Sequence, residues 1–132
     1  MLGPLGVAAM RNDRALAMAT ASDITRLHIP AAAGTNPATH GSYQGRPGTP
    51  LAVLAMHNFA AAPQGMTYRA WVRHGGSWTS MGTAVIDSAG EALVVAEGSA
   101  FTVLPAEVEV TIEPLGGSTT PTGTVVIHYT GP

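Results

Sequence analysis

The chain contains no cysteine, which excludes several classes of protein at once. Disulfide scaffolds, thiolate zinc sites, blue-copper centres, iron–sulfur clusters and cysteine nucleophiles all need the thiol group. The cellular compartment stays open, because secreted bacterial proteins also commonly lack cysteine.

Charge is scarce as well. Only 11% of the 132 residues are charged, and 6 basic residues, all arginine, stand against 8 acidic ones for a net charge of −2. This composition gives no electrostatic footprint for nucleic acid or for an anionic membrane surface. With 45% hydrophobic residues, the chain is long and apolar enough for one domain with a real core. Its 16 glycines and 10 prolines favour a turn-rich, mostly β protein.

No long hydrophobic run is present. Residues 1–10 (MLGPLGVAAM) are apolar, but a membrane-spanning helix needs about 20 such residues, and the basic start of a signal peptide is missing. We therefore expect the chain as given to be soluble, whether it is a whole protein or a domain of a larger one.

The N-terminal part predicts a helix. Residues 4–22 are rich in alanine, leucine and methionine, which are good helix formers. Pro4 suits the first turn, where its missing N–H is harmless. We expect residues 1–22 to form a helix or stalk, and residues 23–132 to form a separate β domain.

The next part alternates between apolar and polar residues. Residues 24–29 (ITRLHI) predict a strand with Leu27 and Ile29 inward. A loop follows, with at most a short strand over residues 39–44, and the three prolines of residues 37–50 argue against a central strand there.

The rest of the chain predicts short strands separated by turn signals about every 8–12 residues. They cover residues 51–57, 68–73, 78–86, 92–96, 101–104, 107–113 and 124–130. We expect a hairpin loop at residues 74–77, and a type I turn at residues 87–90 after which the strand 92–96 pairs back. The pattern predicts an all-β fold: an antiparallel β-sandwich, Ig-like or cupredoxin-like Greek key, with a short N-terminal helix.

Within the strand EVEVTIE, alternation separates two faces. It predicts Val108, Val110 and Ile112 inward, and the interleaved residues outward, namely Glu107, Glu109, Thr111 and Glu113. Carboxylates at i and i+2 can serve glycoside chemistry, but an alternating strand ordinarily keeps them solvated on its wet face. For the last strand, the same alternation predicts Val125, Ile127 and Tyr129 on one face.

The histidines do not form a local metal motif. Their positions are His28, His40, His57, His74 and His128, and no two are two or four residues apart. A copper or zinc site assembled in space is an alternative, but we assign no metal ligand and no cofactor. No Gly-x-Ser-x-Gly elbow is present, and we assign no catalytic residue.

Two tryptophans flank the predicted hairpin loop. Trp71 shares one strand face with Arg69 and Arg73, so these side chains and Trp78 are a candidate platform for a sugar or peptide. We favour Trp71 in the core, with Tyr68 on the other face, and expect Trp78 to be partly exposed.

The order of features from residue 51 onward resembles one known family. The features are Pro63-Gln64-Gly65-Met66-Thr67-Tyr68-Arg69-Ala70-Trp71, then Ser80-Met81-Gly82-Thr83, then Val108-Glu109-Val110-Thr111-Ile112-Glu113-Pro114-Leu115-Gly116-Gly117-Ser118, and Pro121-Thr122-Gly123. They resemble the C-terminal, extracytoplasmic domain of the anti-sigma-K factor family, over roughly 80 residues.

The resemblance implies a regulatory role. In such proteins a cytoplasmic domain sequesters an extracytoplasmic-function sigma factor, one helix crosses the membrane, and this domain lies on the extracytoplasmic side of the bacterial cell membrane. Stepwise cleavage by membrane proteases releases the sigma factor. The anti-sigma domain and the membrane helix are not in these residues, so the implied partners act on the parent protein, and residues 1–22 would be a juxtamembrane stalk.

The resemblance also implies structural roles for the matched residues. Tyr68 and Trp71 would anchor the sheet, and Glu113, before Pro114, would accept N–H bonds from the Gly116–Gly117 turn. Pro121 and Gly123 would set the entry into the last strand. The alternative function is a glycan- or cell-wall-binding β-sandwich module without catalytic activity.

Overall fold

The computed structural model describes residues 24–131, and the predicted helix over residues 4–22 lies outside this range. Eight strands account for most of the described chain: β1 Thr25–Ile29, β2 His40–Gly45, β3 Leu51–His57, β4 Met66–His74, β5 Ser77–Ala84, β6 Ala92–Glu97, β7 Glu107–Pro114 and β8 Thr124–Thr130. A short 3₁₀ helix covers Ser99–Thr102. Among residues 24–131, no helix has the length and apolarity needed to cross a membrane.

The strands form two four-stranded antiparallel sheets. The first has the order β1-β2-β3-β6 and the second the order β5-β4-β7-β8. This confirms the predicted antiparallel β-sandwich. The hairpin between β4 and β5 turns at Gly75 and Gly76, where Gly75 has a φ of +58°, a conformation that glycine adopts readily.

Apolar side chains from the facing sides of the two sheets form the core. The first sheet contributes Ile29, Tyr43, Leu54 and Met56, and the second contributes Tyr68, Val72, Val108, Val110 and Ile127. Burying each aliphatic side chain of this size contributes about 1.5–3 kcal/mol. The alternation that predicted Val108 and Val110 inward is therefore confirmed.

Strand β2 corrects one prediction. It lies between β1 and β3, with both edges paired, although the prolines nearby argued against a central strand. The prolines stand outside residues 40–45, so every N–H of β2 remains able to join a ladder.

Two other elements differ from the prediction. Strand β6 does not pair back onto β5 but crosses to the first sheet, where it pairs with β3. The predicted strand over residues 101–104 does not form: Phe101 and Thr102 end the 3₁₀ helix, in which Phe101 N–H donates to the Gly98 carbonyl at 3.1 Å and the Phe101 side chain is buried.

Strand β8 contains a bulge that alternation did not predict. Val110 pairs with Ile127 and Thr111 with Val125, which leaves Val126 as the extra residue. As a result Val126 joins Ile127 in the core, with Tyr129 packed beside them. Val125, predicted on their face, instead lines a shallow depression on the outside of the second sheet.

Candidate functional site

The outer face of the second sheet gathers several of the residues singled out from the sequence. On β4 it presents Thr67, Arg69, Trp71 and Arg73, and on β7 it presents Glu113, Thr111, Glu109 and Glu107, paired in that order. We call these eight residues the polar face. Three of its members, predicted to be solvated, are buried instead: Glu109, Thr111 and Glu113.

Glu113 lies at one end of the polar face and is fully buried, with 0% of its surface exposed. Its Oε2 accepts the backbone N–H groups of Thr122 and Gly123, both at 3.0 Å. The Thr122 hydroxyl donates to Oε1 at 2.6 Å, and the Thr111 hydroxyl donates to Oε2. Ser118 adds a longer contact of 3.4 Å. One side chain thus ties β7 to the loop that leads into β8.

These hydrogen bonds determine the charge state of Glu113. Burial alone would raise the pKa of the carboxyl group, but the donors from Thr111, Thr122 and Gly123 outweigh it and lower the pKa to about 2. Hydrogen bonds to the ionised form favour that form. The carboxylate is therefore charged at neutral pH, with its acceptor positions taken by its own chain.

The family resemblance implied that Glu113 would accept N–H bonds from the Gly116–Gly117 turn, and this detail is wrong. Within that turn, the Gly117 N–H donates to the Pro114 carbonyl at 2.9 Å and not to Glu113. The donors come from the later Pro121–Gly123 segment instead. Pro114, the last residue of β7, and Gly116 are exposed.

Gly123 fits where no larger residue can. A Cβ at this position would lie 1.6 Å from the Ile112 carbonyl oxygen, far inside van der Waals contact. The close approach of β8 to β7 therefore needs glycine, and it also brings the Gly123 N–H to Glu113. Pro121 stands two residues earlier and is half-buried.

Trp71 occupies the middle of the polar face. It is completely buried, but on the side of the sheet turned away from the inter-sheet core. Its indole N–H donates to the Thr111 hydroxyl at 2.9 Å, and Thr111 in turn donates to Glu113. Tyr68 is its counterpart in the core, where its hydroxyl donates to the Ala60 carbonyl at 2.6 Å. In both residues, a hydrogen bond from the polar end of the side chain fixes the position of the aromatic ring.

The candidate ligand platform does not form an open ladder. Arg69 stacks on Trp71, 5.8 Å from the ring centroid, and donates to the Ser80 hydroxyl at 3.0 Å. Arg73 lies 6.0 Å from the centroid of half-buried Trp78 and forms an ion pair with Glu107. Since Trp71 is buried, it offers no surface on which a sugar could stack.

The other end of the polar face holds a second carboxylate cluster. Glu107 contacts Arg73 through Oε2 and His128 Nε2 through Oε1, the latter at 2.9 Å. The hydrogen bonds from His128 and Arg73 lower the pKa of Glu107. Glu109 is buried beside them, and burial raises the pKa of its carboxyl group.

The opposite sheet carries three histidines in a row. The ring centroids of His28 and His40 lie 5.7 Å apart, and those of His40 and His57 lie 5.0 Å apart. His57 Nδ1 contacts Glu91 Oε2 at 3.2 Å. Sequence spacing alone could not reveal this row, because the pairing of β2 with both β1 and β3 creates it.

The sequence reasoning also missed the cluster of Glu107, Glu109 and His128. The pairing of Glu109 with His128 across β7 and β8 brings it together, while the two residues are nineteen positions apart in the chain. The available signal was the i, i+2 spacing of the two glutamates on one strand.

Comparison with known proteins supports the resemblance read from the motifs. A family model described as anti-sigma-K factor rskA, C-terminal, matches residues 2–125, which is nearly the whole chain. No curated protein and no solved structure gives a significant match.

Proposed function

Since the chain belongs to the family of anti-sigma-K factor C-terminal domains, we propose that it is the extracytoplasmic regulatory domain of a membrane-anchored anti-sigma factor. The parent protein would bind an extracytoplasmic-function sigma factor through a separate cytoplasmic domain and so repress transcription. The family match over residues 2–125 is the observation that carries this proposal.

We propose further that the domain acts by holding its shape and not by catalysis. The polar groups of Glu113 and Trp71 are engaged with their own chain. Glu113 accepts hydrogen bonds from Thr111, Thr122 and Gly123, and Trp71 is fully buried with its N–H bonded to Thr111. Groups saturated in this way fasten neighbouring strands together, which favours a structural role.

A folded domain of this kind offers a physical means of regulation. Proteases cut chains that are extended or locally unfolded, and a stable fold protects the segments it orders. While the sandwich stays folded, it would shield the juxtamembrane segment of the parent protein from the proteases that release the sigma factor. Loss of the fold would expose that segment and raise sigma-dependent transcription.

These 132 residues contain no cysteine, so single cysteines introduced into them report on the location of this domain, with the unsubstituted parent protein as the background. Val85 is 88% exposed and Ala52 is fully buried, so Val85→Cys and Ala52→Cys give matched thiols on one background. In intact cells that express the full parent protein, we expect a membrane-impermeant maleimide to label Val85→Cys but not Ala52→Cys. Labelling of Val85→Cys only after lysis would contradict an extracytoplasmic location.

The regulatory role has its own test. Deleting residues 24–131 from the parent protein should change transcription from a promoter of the cognate sigma factor, measured with a reporter gene. Unchanged reporter output, with the truncated protein present at the normal level, would contradict the proposal. With the purified chain, a protease should cut first within residues 1–22, and first cuts inside residues 51–130 would count against a shielding fold.

A further inference from the structure

Three side chains that can ligate metal converge at the β7–β8 edge of the polar face. His128 Nε2 lies 2.9 Å from Glu107 Oε1 and 3.9 Å from Glu109 Oε1. One ligand atom from each residue lies within 4.8 Å of the other two. The pairing of Glu109 with His128 and the i, i+2 spacing of the glutamates on β7 hold them on one face.

Glu109 is the unusual member of this cluster. It is 7% exposed, and within residues 24–131 no group donates a hydrogen bond to its carboxylate. Among residues 24–131, the basic nitrogen within 4 Å of this carboxylate is His128 Nε2, at 3.9 Å. A buried carboxylate is unfavourable unless it is paired, hydrogen-bonded or coordinated to a metal. Glu109 lacks the hydrogen bonds that satisfy Glu113 on the same strand.

The cluster is accessible from solvent. Glu109 and His128 line a shallow depression on the outside of the second sheet together with Ala31, Ala32, Ala33, Thr124 and Val125. This depression gives an ion a path to the carboxylate and leaves space for water as an additional ligand.

We propose that Glu107, Glu109 and His128 form a binding site for a divalent transition-metal ion of the Zn²⁺ class. One imidazole nitrogen with two carboxylate oxygens suits this class, and no thiolate is needed. Metal–ligand bonds of about 2.0–2.2 Å place neighbouring donor atoms roughly 3.0–3.5 Å apart. The pair at 2.9 Å is close to this spacing, whereas the pair at 3.9 Å and the two carboxylates, whose ligand atoms lie within 4.8 Å of each other, must draw together to reach it.

The neighbours of the cluster define how the ion would bind. Arg73 engages Oε2 of Glu107, which leaves Oε1 for the metal. His128 Nε2 contacts that same Oε1 at 2.9 Å and the Thr130 hydroxyl at 3.2 Å, and in the tautomer that donates to the carboxylate Nε2 carries the proton. Metal binding needs the Nε2 lone pair, and the proton therefore moves to Nδ1 of the ring or to solvent.

The test is calorimetric titration of the complete 132-residue chain with zinc chloride at pH 7.5. We expect one site per chain with a dissociation constant in the micromolar range or tighter. Glu109→Gln and His128→Gln should each weaken binding by at least about tenfold, a loss of about 1.4 kcal/mol. Circular dichroism of each variant checks that it is folded. Because Glu109→Gln removes a buried charge without changing the shape, it should fold at least as well as the parent chain.

His57→Gln is the matched control. His57 also contacts a glutamate, Glu91, at 3.2 Å, but it lies on the other sheet, in the histidine row. The His57→Gln substitution should leave the zinc affinity of the proposed site unchanged. The assignment would be overturned if His57→Gln lost zinc binding while Glu109→Gln and His128→Gln kept it. It would also be overturned if the parent chain showed no saturable zinc binding below about 100 μM, which corresponds to a binding free energy near −5.5 kcal/mol.

Discussion

Glu113→Gln removes the charge at the junction of β7 with the loop before β8 while keeping the size of the side chain. One carboxylate oxygen becomes an NH₂ group and faces the donors from Thr111, Thr122 and Gly123. The pKa of Glu113 falls from 4.5 to about 2 in the folded protein, and each unit is worth 1.36 kcal/mol, so the fold favours the charged form by about 3 kcal/mol. We expect Glu113→Gln to lower the free energy of unfolding by about this amount at pH 7.

The pH dependence gives a sharper criterion. The pKa of Glu113 is lower in the folded protein, so its stabilising contribution is complete above pH 4.5 and is lost as the pH falls from 4.5 towards 2. The difference in unfolding free energy between the parent chain and Glu113→Gln should therefore shrink towards zero over this pH interval. Other carboxyl groups, including Glu107 and Glu109, titrate in both proteins and largely cancel in the difference.

Urea unfolding followed by tryptophan fluorescence at pH 7, 5, 4 and 3 measures this gap. Glu91→Gln is the control, because the Glu91 side chain is 53% exposed and contacts only His57 among the described charged groups. It should change stability by less than about 0.5 kcal/mol. A gap below about 1 kcal/mol for Glu113→Gln at pH 7, or a gap that stays constant down to pH 3, would refute the reasoning.

Three further predictions concern other parts of the structure and use the same unfolding assay. Gly123→Ala should lower the free energy of unfolding by more than about 3 kcal/mol, because the added Cβ would lie 1.6 Å from the Ile112 carbonyl oxygen. Gly116→Ala is the control: its Cβ would have nothing within 4 Å, so its free energy of unfolding should stay within about 0.5 kcal/mol of the parent chain. Similar losses for both glycine variants would contradict the close approach. Tyr43→Phe should be neutral or stabilising by up to about 1 kcal/mol, since the Tyr43 hydroxyl is buried without a hydrogen-bond partner among the described residues, and a clear loss would indicate a partner. Glu109→Gln should raise the free energy of unfolding of the metal-free chain at pH 7, because burial raises the pKa of Glu109 and so disfavours its charged form. This gain in stability should disappear below about pH 4.5. A lower free energy of unfolding at pH 7 would contradict the prediction.

The two-sheet architecture could be predicted from local patterns, because strand alternation and turn residues act over short distances. The hairpin loop at residues 74–77 and the strand bounds of Leu51–His57 and Thr124–Thr130 are confirmed. The partner of β6 could not be predicted in this way, since a strand that follows a turn can pair back or cross to the other sheet. That choice depends on packing between the sheets, and alternation does not encode it.

The polar face shows a second limit of pattern reasoning. Alternation correctly separated Glu109 and Glu113 from the inter-sheet core, but it could not reveal that Trp71 and the chain around residues 118–123 bury the outer side as well. Long-range contacts such as Trp71 with Thr111, forty residues apart, also determine which carboxylate is satisfied. The family resemblance supplied Glu113 and Gly123 as important positions, and the structure supplies the hydrogen bonds and the steric reason.

We propose that the stability of this fold controls the activity of the parent protein, and one measurement compares the two directly. The unfolding free energies of the purified variants Glu91→Gln, Tyr43→Phe, Glu113→Gln and Gly123→Ala can be plotted against sigma-dependent reporter transcription in cells that carry the same substitutions. We predict that transcription rises steadily as stability falls, with Glu91→Gln at the parent level and Gly123→Ala among the highest. Reporter output that does not follow stability across this series would contradict the claim.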